Sequence, residues 1–461
     1  MIDLAALKQH ITGTVLQAGD NAYDEARTIW NAMIDRHPLA IVRCANTADV
    51  VAALQFARAN NLDISVHCGG HSIAGHSVIE AGIMIDLSPM NTVTVDPQAK
   101  RARVAGGALL GALDKAAQAH GLATTAGNVS HTGVGGLTLA GGMGWLARQF
   151  GLACDNLVSC EVVLADGSVV RASKTEHPDL FWGLRGGGGN FGIVTEFVFQ
   201  LHEIDNRSLF VECYFDMAQA PAAFRKWRDM LPGAPRNVTL TAWMGTGGTQ
   251  TFLPEAFQNK PLANTGFVWI GDPADGRRYL EQFLEGLQPI AQNVKEMSYL
   301  ELQTIDDSPE SHGIRRYWKG YYLDEISDEA LDTLLSRPEV GQPEMGKSLS
   351  TSLQAYGGAI AETSLEESSY GHRRAAAEVV NHVRWTNPDE DDRYMDLARR
   401  YARSLEPFAS GSYIHSVKDD AQSPADSVYS DDLYQRLVEV KRQYDPENIF
   451  RHNVNIDPQK P

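Results

Sequence analysis

Glycine constrains this chain most, because its glycines come in clusters: Gly69-Gly70, Gly106-Gly107, Gly133-Val-Gly-Gly136, Gly141-Gly142 with Gly144, and Gly186 to Gly189. Without a Cβ, a backbone can approach another backbone or a ligand more closely than any other residue allows. Between apolar, β-branched runs such clusters predict strands joined by tight loops, packed on each other or on a flat or charged ligand.

The first third alternates accordingly. Ala40–Arg43 reads as a strand, Thr47 as the cap of a helix carrying Val50, Ala53, Leu54 and Ala57, and Ile64–Val66 as the next strand. Further strands are predicted at 82–87, 92–95, 157–164 and 193–200. Composition shifts near residue 205. Beyond it come strands at 209–215, 238–244 and 266–270, few in number, and long helices, one with Leu280, Phe283, Leu284 and Leu287 on one stripe. The acidic run Pro388–Asp392 reads as a solvated loop, and Ser430 as the cap of a last helix. Together these predict an α+β protein of two domains: residues 1–205, made of two α/β subdomains, and residues 206–410, an antiparallel sheet covered by helices. Residues 411–461 form a terminal segment returning to the first domain. At 461 residues, two domains is also what length suggests.

Three motifs bear on chemistry. In Val66-His-Cys-Gly-Gly-His-Ser72 the glycines let backbone N–H groups converge on an anion such as a diphosphate, and His71 follows where the rest of that ligand would emerge. A plain turn with a surface histidine fits the same letters. The second motif, Gly133-Val-Gly-Gly136 with Ala140–Gly144, implies either a bound ligand or close helix packing. Gly142, Gly144 and Ala147, and again Gly187, Gly189 and Gly192, satisfy a loose dinucleotide pattern. Neither opens a helix after a first strand, so a nicotinamide cofactor is not the expectation. In the third motif, Tyr444 to Ile456, Asn453 and Asn455 lie two apart on an extended segment and could bond one planar heterocycle.

As a set, Arg43, Cys68–Ser72, Asp86-Leu87, Ala105–Gly107, Gly133–Gly136, Asp155-Asn-Leu157, Asp179–Gly192 and the Tyr444–Ile456 ending resemble the vanillyl-alcohol oxidase/para-cresol methylhydroxylase superfamily. The ending resembles its berberine-bridge-enzyme-like branch. The resemblance implies an FAD-dependent oxidoreductase whose flavin is bonded to His71, with His67 and His76 as the nearby alternatives. It further implies that FAD is held by Cys68, Gly69, Gly70, Ser72 and Ser77, and by His131, Thr132, Gly135 and Gly136. Gly141, Gly142, Gly192, Val194, Asn453 and Asn455 complete that set. Many relatives add a second link from a cysteine. That position is Val129 here, so one link is expected.

On the substrate side the resemblance brings in the strand Ser350–Tyr356, which has no carboxylate where several relatives carry a glutamate. Gln354 is then expected to hold the substrate, and Tyr413 or His415 to take its proton; alternatively all three only shape the pocket. Thr132 is expected beside the ring where oxygen approaches. The implied reaction takes a hydride from a small organic molecule (an alcohol, sugar, hydroxylated heterocycle or polyketide) and reduces molecular oxygen to peroxide. A dehydrogenase with another acceptor and an idle flavin carrier are the alternatives.

A net charge of -18 argues against nucleic acid and anionic membranes as partners. No run reaches the roughly 18 apolar residues of a membrane span. The N-terminus lacks a secretory pattern, and five cysteines fit neither a disulfide framework nor a zinc site. No metal and a reducing cytoplasm are the expectations.

Overall fold

The computed structural model describes residues 2–336, 349–412, 414 and 424–460. Its first layer is a four-stranded sheet in the order Thr14–Leu16, Ala40–Arg43, Ile83–Asp86, Ile64–His67. The last three strands run parallel, with Ile41 and Ser65 both registered on Met84. The crossover between two of them is the helix Thr47–Ala59, whose Val50, Ala53, Leu54 and Ala57 bury against the sheet. Its cap is Asn46, whose side chain accepts from the Asp49 amide, and not Thr47. Asn46 has the extended backbone a cap needs, while Thr47 is already helical and its hydroxyl donates to Glu161.

A second sheet follows in the order Val93–Asp96, Arg101–Ala105, Ile193–Gln200, Leu157–Val163, Val169–Ser173, all antiparallel. Gly107 lies so close to the first sheet that a Cβ there would sit 1.7 Å from the Leu87 carbonyl oxygen. The glycine pair at 106–107 therefore sets the spacing between the two layers.

The second half is one antiparallel sheet of eight strands among the described residues, where the sequence suggested few. In order these are Ala291–Met297, Ser208–Asp216, Pro261–Ile270, Val238–Thr246, Leu349–Ala355, Ala377–Trp385, Arg315–Leu323 and Gly411–Ser412. Helices Ala220–Met230, Pro273–Phe283, Asp328–Leu335 and Asp391–Leu405 supply Trp227, Phe283, Leu331 and Leu397 to the core shared with Leu209, Leu353 and Val379. Because side chains alternate along a strand, the residues between those apolar ones point to the opposite face, toward the first domain. Register aligns Ser350 with His382 and Trp318, and Gln354 with Glu378 and Tyr322.

The acidic run is not a free loop. Asn387 caps a short turn at Pro388–Glu390, which leads into the helix Asp391–Leu405, and Asp391 accepts from Trp385 and Arg315. Carboxylates in a first turn complement the positive end of the helix dipole. The last helix, Asp431–Tyr444, does begin at Ser430 and packs Leu433, Leu437 and Val438 into the core of the first domain. There Lys441 is fully buried, bonded to Asp445 at 2.7 Å and to the carbonyls of Asn190 and Phe450. No helix among the described residues is long and apolar enough to cross a membrane.

Candidate active site

The two glycine motifs meet. A Cβ on Gly69 would lie 2.3 Å from the Gly133 amide nitrogen, and a Cβ on Gly133 would lie 2.5 Å from that of Gly69. The 130–134 segment is zipped to residues 108–111 by backbone bonds from Gly111 to Ser130, Leu110 to Thr132 and Val134 to Ala108. Asp307 fixes its start, accepting from both the amide and the hydroxyl of Ser130 at 2.8 and 2.7 Å. These bonds carry His131 and Thr132 to His71.

His71 Nε2 lies 2.7 Å from His131 Nδ1, and the Thr132 hydroxyl lies 3.3 Å from His71 Nδ1. Trp30 stacks on the His71 ring at 4.7 Å, with Trp318 edge-on to Trp30 and the Arg316 guanidinium 4.1 Å from the Trp30 ring centre. Burial, then the neighbouring His131, His312 and Arg316, push the His71 imidazolium down to about 2. His71 is therefore neutral at any physiological pH, and a neutral imidazole keeps a nucleophilic lone pair. His71, His131 and His312 bring ligand atoms within 4.8 Å of one another, a cluster the sequence did not suggest.

The remaining expected residues divide by location. His67 ends its strand half-buried under Gly70, whose positive φ of 67° lets it lie on the imidazole. Ser72 accepts from the His76 amide, and His76 sits 5.8 Å from the ring of His452 in the terminal segment. Val129 begins the turn that Thr132 closes. Gly136 faces open space, and Gly135 lies near Gly106 and Phe197. Gly141 makes room for the Tyr370 ring and Gly142 for Leu137 and Ala153, while Gly192 and Val194 pack against Val162 and Val163 within the second sheet. Tyr413 and His415 lie outside the described residues.

Whether this chain suits FAD can be tested on its buried polar atoms, which are rarely left unbonded. Ser77 Oγ, Asn453 Oδ1, Asn455 Oδ1, Asn128 Oδ1 and Gln354 Nε2 are buried with no hydrogen-bond partner among the described residues. They join a backbone cradle at 69–70 and 133–136 with a neutral histidine at its rim. A ligand rich in acceptors and donors satisfies such a set, so the residues fit FAD.

Several groups here carried no local signal: Trp30, the stretch holding His312, Arg316 and Trp318, and His382 come from three separate segments. Glu378 shares the strand of His382, buried opposite Gln354 and bonded by the Tyr356 hydroxyl at 3.3 Å. Ser352 Oγ meets His382 Nε2 at 3.1 Å on the same face.

Residues 38–173 match the model of an FAD-binding domain, and residues 412–457 the model described as berberine and berberine-like. An FAD-linked oxidoreductase of Bacillus subtilis is 30% identical over 458 residues, covering 98% of both chains. The (R)-6-hydroxynicotine oxidase of Paenarthrobacter nicotinovorans is 30% identical over 469 residues, covering 97% of each. The crystal structure of 6-hydroxy-D-nicotine oxidase from Arthrobacter nicotinovorans superposes with a TM-score of 0.85 at 28% identity, covering 97% of this chain and 98% of the other.

Proposed function

The chain belongs to the berberine-bridge-enzyme-like branch of the vanillyl-alcohol oxidase flavoproteins and is an FAD-dependent oxidoreductase, and from that premise we propose an oxidase whose flavin is held by a single bond to His71. The observation that carries this reading is the pairing of His71. Its Nε2 lies 2.7 Å from His131 Nδ1 and its Nδ1 lies 3.3 Å from the Thr132 hydroxyl; in the tautomer that carries the proton on Nε2, His71 donates to His131 and Nδ1 keeps its lone pair. Trp30 and the Ser130–Asp307 bonds hold that geometry before any ligand arrives.

Bound FAD supplies the hydride acceptor and the route for electrons onward to oxygen. The loop residues 68–72 and 133–136, with Ser77, Asn453 and Asn455, bind and orient it. The substrate meets the opposite wall, formed by Trp318, His382, Ser352 and Gln354. Relatives whose names specify a nicotine derivative or a carbohydrate as substrate support a small organic molecule bearing a C–H beside oxygen or nitrogen.

The cysteines support the single link. A cysteine attacks as thiolate, and burial pushes the Cys68 thiol up to about 11 and those of Cys154, Cys160 and Cys213 up to about 12. Cys44 is raised further still, also by burial. None is nucleophilic near neutral pH, and all five are free, as a reducing cytoplasm would keep them. Peptide mass mapping of the purified protein is expected to find flavin on the His71 peptide alone. A flavin adduct on any cysteine peptide would contradict the single link, and an unmodified His71 peptide from yellow protein would contradict the linkage itself.

A further inference from the structure

Three imidazoles converge at the rim of the glycine cradle. Ligand atoms of His71, His131 and His312 all lie within 4.8 Å of one another. The His71 ring centre is 4.7 Å from that of His131 and 5.8 Å from that of His312, and the last two are 5.2 Å apart. His71 and His131 are half-buried, whereas His312 is exposed and opens the cluster to solvent. We propose that these histidines form a binding site for a divalent cation of the zinc class, held on the side of His71 away from the flavin.

Each ring arrives on a backbone fixed independently of any ion. His71 is stacked on Trp30, and His131 follows Ser130, which Asp307 grips through its amide and hydroxyl. The segment carrying His312 is tied down on both sides. The Trp30 indole donates to the Glu310 carbonyl, the Ala32 amide to the Ile314 carbonyl, and the Arg316 amide to the Asn31 side chain. Ligands held in this way need little further ordering to meet an ion.

The chemistry selects the ion and divides the two nitrogens of His71. Imidazole nitrogens suit zinc and copper, whereas magnesium and calcium take oxygen ligands. Nδ1 is the atom proposed to carry the flavin, and Nε2 faces His131 at 2.7 Å. Once Nδ1 is bonded to carbon, the neutral ring has no proton for Nε2, which keeps its lone pair. The flavin bond thereby leaves Nε2 as a metal ligand. Zinc bonds imidazole nitrogen at about 2.0–2.1 Å, so tetrahedral partners stand roughly 3.3 Å apart. The 2.7 Å pair opens slightly and His312 closes in, shifts that side-chain rotation supplies. Three histidines leave a fourth position for water, as in open zinc sites. Nor does charge oppose the ion. Arg316 and Arg384 pair with Glu310 at 3.5 and 3.3 Å, and Asp307 adds a second carboxylate beside Ser130.

The inference rests on the His71 linkage for this division of nitrogens, so the experiment scores the two apart. Holoenzyme freed of metals with dipicolinate is titrated with zinc chloride by calorimetry, and peptide mapping locates the flavin in the same preparation. One zinc per chain is expected, and magnesium chloride should give no binding heat. His312→Ala should keep acid-stable flavin, because the His312 ring meets His71 only edge-on. The same variant should weaken zinc binding by at least the roughly 10–100-fold that losing a group behind a ligand costs. His312→Asn is read in the same way should the alanine variant fail to fold. Zinc that binds these variants as tightly as the unaltered protein, or magnesium that binds as well as zinc, would overturn the site. Flavin mapped to His71 with no zinc bound would also sink the site while the linkage stands. Flavin mapped to another residue, with zinc binding still lost in His312→Ala, would sink the linkage and leave the three-histidine site.

Discussion

Changing His71 to alanine is expected to yield a protein that still collects some FAD but releases essentially all of it into the supernatant on acid precipitation. The unaltered protein should keep its yellow colour in the pellet. The backbone cradle at 69–70 and 133–136 and the buried amide oxygens of Asn453 and Asn455 remain in the variant, which is why binding outlasts the bond. His131 refines the expectation. Its Nδ1 lies 2.7 Å from His71 Nε2, and losing that partner frees the His71 ring to turn or to place its proton on the wrong nitrogen. His131→Ala should therefore lower the acid-stable fraction severalfold, and His131→Gln, which still offers an acceptor, should fall between. Acid-stable flavin in His71→Ala at native levels would show that another residue carries the bond.

The second large effect concerns what holds the halves together. Arg373, from the loop after the helical turn Gly358–Glu362, reaches into the first domain and grips both oxygens of Asp155 at 2.6 and 2.7 Å. Both side chains are only 6% exposed. Asp155 also accepts from the Leu152 amide, and Arg373 from its other edge donates to Ser368 and Ile360. Arg185, 3.8 Å away, is too distant to replace Arg373 as a hydrogen-bonding partner. Arg373→Ala strands a buried carboxylate, so a destabilisation of about 3–5 kcal/mol is expected. Chemical denaturation followed by tryptophan and flavin fluorescence would register it as a lowered midpoint. A loss below about 1 kcal/mol would mean that water reaches Asp155 once the arginine is gone.

Local signals explain why the first domain was more legible than the second. Strand Ile193–Gln200 was bounded correctly because its apolar run is fenced by glycines, and the loop at Cys68–Ser72 announced itself by composition alone. Misreadings came where two local signals competed. Asn46 and Thr47 are both cap formers, and the backbone chose the earlier one. The acidity of Pro388–Asp392 suggests a solvated loop, although proline at a helix start and carboxylates in its first turn are start signals.

What the sequence could not display is register. Gln354 and Glu378 are 24 residues apart and become neighbours only through strand pairing. Trp30, His71, His131 and Arg316 span almost three hundred positions, yet they surround one imidazole. No periodicity encodes such a meeting. The motifs led to His71, and the strands and loops that keep it neutral and oriented appear only in three dimensions.

The central claim is that this is an oxidase and not a dehydrogenase with another acceptor, and reoxidation tests it most directly. Protein bleached anaerobically by substrate is mixed with air-saturated buffer, and return of the flavin colour is timed while peroxide is assayed. The account predicts rapid recolouring with about one peroxide per flavin, as a two-electron transfer to oxygen requires. Thr132 lies beside His71, and on the proposed reading, in which it flanks the path of oxygen, Thr132→Leu should slow recolouring more than bleaching. Flavin that stays bleached in air, yet recolours at once with a quinone, would contradict the account.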